Sequence, residues 1–494
     1  MIVCSPAPLA SAETAAAPSL GALPEWNLAD LYPAMDSPAY AADLAAMARG
    51  CKAFSERYAG KLAALLDGPD GAEKLTEAIR EYENLDDLLG RVMSYAGLTY
   101  SGDTTDPARA KFYGDAQQKV TDASADLLFF TLELNRIDDA KLEAAMAHEP
   151  LAHYRPWLTD IRREKPYQLD DRLERLFHEK SVTGHSAWNR LFDETIAALR
   201  FKVDGEELTL EPTLNRMQDP NEEMRHKASD AIAETLKANL RTFALITNTL
   251  AKDKEISDRW RGFVDVADAR NLSNRVEREV VDALVAAVTA AYPRLSHRYY
   301  RLKAKWFGKD QLAHWDRNAP LPNVANKIYS WDEARDTVLS AYGAFAPRMA
   351  GIAQRFFDGR WIDAPVRPGK APGAFAHPTV PSAHPYVLLN YQGKPRDVMT
   401  LAHELGHGVH QVLAAPNGAL MAPTPLTLAE TASVFGEMLT FRKLLAQAAP
   451  EAKRAMLAAK VEDMLNTVVR QIAFYSFERK LHIARRDGEL TADQ

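Results

Sequence analysis

Hydrophobic residues recur at helical spacing along most of this chain. Ala/Leu-rich runs with apolar residues three and four apart, interrupted by Asp, Pro or Gly, indicate amphipathic helices. The first run opens on Asp36-Ser37-Pro38, a combination that favours a helix N-terminus. We predict a mostly α-helical chain, with helices over residues 36–65, 71–98, 103–136, 138–147, 168–199, 219–260, 275–307 and 331–357, and again from residue 396 onward.

Two stretches break this pattern and predict β-structure. RFKVDGEELTL, residues 200–210, places Asp204-Gly205 between short β-prone runs, as in a two-residue hairpin. The segment 358–397 is rich in Pro and Gly and contains HPYVLLNYQG, in which Val387 begins an apolar run typical of a strand. We therefore expect one small sheet just before the helix that starts near residue 396.

Composition narrows the class of protein. With 494 residues the chain is too long for one ordinary core, so two or three subdomains are expected. The net charge of −7 is spread throughout and gives no basic surface for nucleic acid. No apolar stretch reaches membrane-spanning length. We expect a soluble, cytoplasmic protein with neither nucleic acid nor membrane as a partner.

The N-terminus and the cysteines add little chemistry. Residues 1–22 form an Ala/Pro/Ser-rich stretch with no basic residue before its short apolar run, so we expect a flexible leader rather than a signal peptide. Cys4 and Cys51 are the two cysteines, and neither belongs to a C-x-x-C motif. A zinc ribbon or redox dithiol is thereby excluded. We expect buried or idle thiols, with a disulfide between the two cysteines as the less favoured alternative.

The stretch TLAHELGHGVHQ, residues 400–411, carries candidate chemistry. His403 and His407 are four residues apart, so they share one helix face and can bind one metal ion from the same side. Glu404 lies on the flank of that face, within reach of a water on the metal. The opposite side of the helix has an apolar stripe that we expect to be buried, formed by Leu401, Leu405, Val409 and Val412.

Two glycines sit inside this predicted helix. Gly406 and Gly408 each cost about 1 kcal/mol of helix stability relative to Ala. We interpret that cost as a sign that something approaches the backbone closely. The alternative is a chance H-E-x-x-H on a solvated helix, which the glycines and the strand upstream disfavour.

A catalytic zinc needs a third protein ligand and an open position for water. His410 lies a full turn beyond His407, too far to share an ion with His403, so we expect it to support the structure instead. After a Pro/Gly loop, LTLAETASVFGEML starts a helix with Glu430 in its first turn. Glu430 is the predicted third ligand; the helix dipole alone would also favour an acid there. Glu437, on the same face, is predicted to orient a ligand histidine, with a packing role as the open alternative.

These residues predict amide hydrolysis without a covalent intermediate. One Zn²⁺ held by His403, His407 and Glu430 would polarise the substrate carbonyl and activate a water. Glu404 would take the proton of that water as general base and deliver it to the leaving amine.

The motifs together resemble those of oligoendopeptidase F, in the zinc oligopeptidase family that includes thimet oligopeptidase. The resemblance lies in LAHELGHGVHQ, AETASVFGE and HPYVLLNYQGKPRDV, and extends to LPEWNLADLYPAMDSP (residues 23–38) and KAKWFGKDQLAHWDRNAPL (303–321). It implies a cytoplasmic zinc endopeptidase acting on short unstructured peptides. The implied fold is zincin-like and mostly helical, with a deep channel between helical subdomains and the small sheet beside the zinc helix. We accordingly expect a helical region over 23–200 and the zinc-peptidase region over 201–494.

The resemblance also implies substrate contacts. The strand that contains Tyr386, between His384 and Tyr391, resembles the edge strand that pairs with the substrate backbone. The turn holding Gly373 and Phe375 matches a family loop near the cleft, with an ordinary surface loop as the alternative.

Family members continue beyond a segment like the one that ends this chain. We therefore expect the catalytic region to be truncated, with a missing C-terminal segment as a potential partner and impaired activity for this chain alone. Tyr475 and His482 do not match the family's transition-state-stabilising positions, and helix packing is the better interpretation for them. The alternative function is a noncatalytic or impaired peptide-binding protein on the same fold. A third possible function is that of a carboxypeptidase. Such an enzyme needs a site that binds the C-terminal carboxylate of its substrate, and we find no motif for one.

Overall fold

A computed structural model describes residues 19–322 and 327–494, and helices dominate it as predicted. Residues 1–18 of the expected leader, which include Cys4, lie outside the described residues. The carbonyl of Leu20, a residue assigned to the leader, accepts a hydrogen bond from the Trp331 N–H at 2.8 Å. Cys51 is fully buried. None of the helices in the described ranges is long and apolar enough to cross a membrane.

Ten α-helices precede the first strand in the described part of the chain. They are α1 Pro38–Tyr58, α2 Leu62–Leu65, α3 Gly71–Gly102, α4 Pro107–Ser124, α5 Leu128–Arg136, α6 Asp139–Ala145, α7 Glu149–Ala152, α8 Arg155–Glu164, α9 Asp171–Lys180 and α10 His185–Ala198. The predicted start of α1 is confirmed, because Ser37 Oγ accepts a hydrogen bond from the Tyr40 N–H. The predicted helix over 36–65 divides at Gly60, whose φ is +77°. Helices α7 and α8 occupy a stretch for which we predicted no element.

The middle of the chain begins with the predicted hairpin. Strands β1 Phe201–Val203 and β2 Glu206–Leu208 pair antiparallel, and Asp204 and Gly205 both have positive φ between them. The helices that follow are α11 Leu210–Arg216, α12 Glu222–Ala238, α13 Leu240–Arg261, α14 Asp268–Ser273, α15 Arg278–Ala291, α16 Ser296–Trp306, α17 Trp331–Phe345 and α18 Pro347–Asp358. The predicted helix over 331–357 breaks before Pro347. The helical conformation is disfavoured for the residue before a proline, and Ala346 is extended accordingly.

A three-stranded sheet lies where the Pro/Gly-rich segment predicted a strand. It consists of β3 Ile362–Asp363, β4 Phe375–His377 and β5 Tyr386–Leu388, in the order β3-β5-β4. Strand β5 pairs parallel with β3 and antiparallel with β4. The chain then continues as three long helices, α19 Pro395–Ala414, α20 Leu426–Gln447 and α21 Pro450–Asp487.

The largest hydrophobic core joins early and late parts of the chain. It includes Tyr40 of α1 and Val92 of α3, together with Tyr342 of α17, Val387 of β5 and Leu405 of α19. A second core is built from the helices α1 to α8, and a third surrounds the hairpin. Residues from both predicted regions, 23–200 and 201–494, therefore pack into the core that supports α19.

Candidate metal centre

Helix α19 is seated with one face in the core. Leu401 and Leu405 are fully buried and Val409 is 5% exposed, which confirms three members of the predicted apolar stripe. The fourth, Val412, is partly buried and packs against the same core. At the N-terminus of the helix, the Asp397 carboxylate accepts hydrogen bonds from the backbone N–H groups of Gln392 and Lys394, at 2.9 and 3.0 Å. These contacts hold the N-terminus and one face of the helix, and the other face presents the histidines.

Gly406 and Gly408 stand where neighbouring elements approach the helix. A Cβ on Gly406 would lie 2.6 Å from the Ala432 carbonyl oxygen in α20, and a Cβ on Gly408 would lie 2.5 Å from the Phe356 ring. The expected close approach to the backbone is confirmed. It brings α20, and with it Glu430, next to the histidine face of α19.

The structure brings the three predicted ligands together. Glu430 Oε2 lies 3.2 Å from His403 Nε2 and 3.5 Å from His407 Nε2, and one ligand atom from each residue falls within 4.8 Å of the others. Ligand atoms on a tetrahedral zinc with bonds of about 2.0–2.1 Å are about 3.3 Å apart. Two imidazole nitrogens and one carboxylate at these separations fit a zinc ion and leave one position open.

Glu404 lies beside this group and is only 7% exposed. Burial raises the pKa of its carboxyl to about 7; His403 and the Ala376 backbone N–H oppose the rise, and Glu430 adds to it. A carboxyl with a pKa near neutrality can both accept and release a proton at neutral pH.

A second carboxylate contacts His403 from the other side. Glu437 Oε2 lies 3.3 Å from His403 Nδ1, so the ring can donate its Nδ1 proton while Nε2 faces Glu430. Burial lowers the pKa of His403, but the hydrogen bond to Glu437 and the charges of Glu404 and Glu430 outweigh it and raise the pKa overall. For His407 burial prevails and lowers the pKa. This contact agrees with the orienting role predicted for Glu437.

His410 stays outside the ligand group, which comprises His403, His407 and Glu430 among the described residues. Its predicted supporting role remains a prediction. Tyr475 and His482 both lie on α21, and burial lowers the pKa of His482.

The strand predicted around Tyr386 exists, but its predicted edge position is wrong. Strand β5 is the central strand of the sheet, because β3 pairs with its other side. Tyr386 is fully buried and donates its hydroxyl to the Asn27 carbonyl at 2.9 Å. Tyr391 is 2% exposed and donates to the Tyr329 carbonyl at 2.9 Å.

His384 is likewise engaged within the fold. Its ring stacks on Trp361 with centroids 3.7 Å apart, and its Nε2 lies 3.0 Å from Asp30 Oδ2. The two tyrosines and His384 therefore make contacts that support the sheet. Their predicted role as substrate contacts stays a prediction.

The edge strand beside α19 is β4, which includes Phe375. The outward-facing backbone of Ala376 meets α19: its carbonyl accepts a hydrogen bond from Gln411 Nε2 at 3.0 Å, and its N–H contacts Glu404. Gly373 precedes the strand with φ of +79°, a conformation that favours glycine, and donates its N–H to Glu211 at 2.7 Å. The Gly373–Phe375 turn thus leads into the strand next to the metal centre.

Two contacts of the metal centre were not predicted from the sequence. Ser433 Oγ donates a hydrogen bond to Glu430 Oε2 at 2.7 Å, and its position one turn after Glu430 was the available signal. Lys460 of α21 contacts Glu437. No local pattern marks Lys460, which is 23 residues away in sequence.

Comparisons with known proteins agree with these observations. The chain is 27% identical over 477 residues to oligopeptidase PepF of Bacillus subtilis, covering 94% of this chain and 69% of that protein. It is 26% identical over 434 residues to the group B oligopeptidase PepB of Streptococcus agalactiae, covering 86% and 72%. The crystal structure of oligoendopeptidase-F from Enterococcus faecium shares the fold, with a TM-score of 0.65 and 20% identity over 92% of this chain and 77% of that one.

Two family models match successive parts of the chain. The model of oligopeptidase F matches residues 133–201, and the model of peptidase family M3 matches residues 215–494, more than half of the chain. The second match includes α19 and α20, the helices that carry the histidine pair and Glu430. The chain therefore belongs to peptidase family M3, a family of metallopeptidases.

Proposed function

We propose that this metallopeptidase is a zinc-dependent endopeptidase that hydrolyses internal amide bonds of short unstructured peptides. The observation that carries the proposal is the convergence of His403 Nε2, His407 Nε2 and Glu430 Oε2 beside the buried Glu404. The names of the relatives, oligopeptidase and oligoendopeptidase, support a peptide substrate. The cytoplasm remains the predicted compartment.

Zinc bound by these three residues would supply Lewis acidity, which polarises a carbonyl and makes water a stronger acid. Glu404 accepts the proton of the attacking water and returns it to the nitrogen of the leaving amine. Its burial keeps bulk water away from the carboxyl during the transfer. Glu437 holds His403 by its Nδ1 proton, and Ser433 holds Glu430 by Oε2.

Strand β4 is the place where we expect the peptide backbone to bind. It is the edge strand nearest α19, and the outward backbone of Ala376 meets that helix: its carbonyl accepts a hydrogen bond from Gln411 and its N–H donates to Glu404. A peptide added antiparallel to β4 would run past the metal centre in extended form, and such binding would favour unstructured substrates. Gln411 would have to release the Ala376 carbonyl for this to happen.

An internally quenched peptide with both ends blocked tests the proposal. We expect the zinc-loaded protein to cut it internally and a chelator to abolish the cleavage reversibly. Binding of the peptide without hydrolysis would favour the noncatalytic peptide-binding protein. Cleavage of free-ended peptides alone would indicate an exopeptidase, since an exopeptidase cannot cut a peptide blocked at both ends.

A further inference from the structure

Lys460 of α21 places its ammonium against the carboxylate of Glu437. Both side chains are shielded from water, at 11% and 13% exposure. An ion pair so placed is screened little by salt, and either charge left alone would be strongly destabilising. The ammonium also lies 3.4 Å from Asp463, but that carboxylate is 60% exposed and interacts correspondingly weakly. Glu437 is therefore the main partner of Lys460.

The two oxygens of Glu437 have different partners. Lys460 donates a hydrogen bond to Oε1, while Oε2 lies 3.3 Å from His403 Nδ1. Because a carboxylate is rigid and planar, holding Oε1 fixes the direction in which Oε2 points. The orientation of the His403 ring, whose Nε2 lies 3.2 Å from Glu430, thus depends on a side chain from α21.

We propose that Lys460 is a positioning residue of the metal centre: it holds Glu437, and through Glu437 it directs His403 Nε2 toward the zinc. This inference rests on the proposed zinc site. It assigns to α21 a part in metal binding, although α21 supplies no ligand. A purely structural reading, in which the ion pair only docks α21 on α20, makes different predictions.

The test is the zinc dissociation constant, measured by competition with a chelating dye. Lys460→Met keeps the length of the side chain and removes its charge and donors. We expect it to weaken zinc binding by about 10- to 100-fold, the usual effect of losing a contact that orients a metal ligand. Lys460→Arg should restore most of the affinity. Thermal unfolding of the metal-free variants verifies that they fold, and Lys460→Gln replaces Lys460→Met if the latter does not.

A matched control separates positioning from docking. Arg479 also anchors α21, through an ion pair with Asp265 in which Nη2 lies 2.8 Å from Oδ2, but it touches no residue of the metal centre among those described. We expect Arg479→Met to leave the zinc affinity unchanged. Equal weakening by Arg479→Met and Lys460→Met would overturn the inference, because docking of α21 would then explain both.

A double-mutant cycle tests whether Lys460 acts through Glu437. In a Glu437→Gln background, Lys460→Met should cause no further loss of zinc affinity, because the carboxylate that it orients is absent. Independent, multiplicative losses, or a wild-type affinity in Lys460→Met, would overturn the inference while the zinc site stands. Failure of the wild-type protein to bind zinc would instead overturn the proposed function on which the inference rests.

Discussion

Glu404 combines the two properties that a proton-transfer group needs at this centre. It lies beside the converging ligands, and burial raises its pKa to about 7. The amide of a glutamine would fill the same space but accept no proton.

We therefore expect Glu404→Gln to lower kcat by at least 10²-fold, in line with the usual contribution of a general base, while zinc content stays at the wild-type level. Steady-state kinetics and metal analysis on the same preparation check this. Glu451→Gln, an exposed acid in the first turn of α21, serves as the control and should change neither quantity. Full activity in Glu404→Gln would assign the base to another residue.

Ser433 supports Glu430, the most exposed of the three proposed ligands at 60%. Its hydroxyl restrains a carboxylate that otherwise faces solvent. Ser433→Ala should weaken zinc binding by about 10-fold or more without changing the fold. An unchanged zinc dissociation constant, again from dye competition, would show that Glu430 is held in place by other contacts.

At the scale of elements, the separation of α19 and α20 decides whether the ligands meet. Gly406 lies at their contact, where a Cβ would lie 2.6 Å from the Ala432 carbonyl oxygen and 2.9 Å from the Ser433 Cα. Backbone atoms cannot yield as a flexible side chain does, so the helices must move apart to admit a methyl group.

Gly406→Ala should therefore destabilise the protein by about 1–3 kcal/mol and weaken zinc binding as well. Chemical denaturation and zinc titration measure the two effects. Gly351→Ala is the matched control: this glycine lies in α18 with open space around its Cβ position, so alanine should stabilise by up to about 1 kcal/mol. A stable Gly406→Ala with full zinc affinity would contradict the role given to close helix packing.

Strand β4 holds a half-buried histidine, His377, that makes stability depend on pH. Burial lowers the pKa of His377 to about 4, and its Nε2 lies 2.9 Å from Ser94 Oγ. Between pH 6.5 and 4 the unfolded chain binds a proton at this site that the folded chain does not. Stability therefore falls as pH decreases through this window, by on the order of 3 kcal/mol at most.

Denaturation midpoints measured from pH 7 to pH 4.5 check this, because His377→Gln should flatten that part of the profile. The exposed His185→Gln should leave the profile as in wild type. Parallel profiles for wild type and His377→Gln would show that the ring is protonated without cost in the fold.

At the scale of the whole molecule, the metal centre and the N-terminal helices share one core. Tyr40 and Val92 pack in the same cluster as Leu401 and Leu405 of α19. Zinc that binds the folded state should therefore stabilise the N-terminal helices together with the site. At a free zinc concentration 100-fold above the dissociation constant, the expected gain is about 2.7 kcal/mol.

Thermal unfolding with zinc and with a chelator measures this linkage. Glu404→Gln should show the same zinc-dependent shift as wild type, and His403→Ala should lose it. An equal shift in His403→Ala would mean that zinc stabilises the protein by binding at another site.

The sequence predicted the parts of this molecule that depend on local pattern. Most of the helices, the Asp204-Gly205 turn and the apolar stripe on α19 follow from residues close together in the chain. The sheet order did not follow, since β3 has two residues and β4 has three, too few for a periodicity, and pairing joins distant segments. That is why β5 was wrongly assigned to the edge of the sheet. Lys460 was missed because its contact with Glu437 exists only in the folded chain.

The central claim is that His403, His407 and Glu430 hold one zinc ion. Anomalous diffraction at the zinc edge, from crystals grown with one equivalent of zinc, tests it most directly. We predict a single strong anomalous peak about 2.0–2.2 Å from His403 Nε2, His407 Nε2 and a carboxylate oxygen of Glu430. A strong peak at another site, or no peak between these three side chains, would contradict the account.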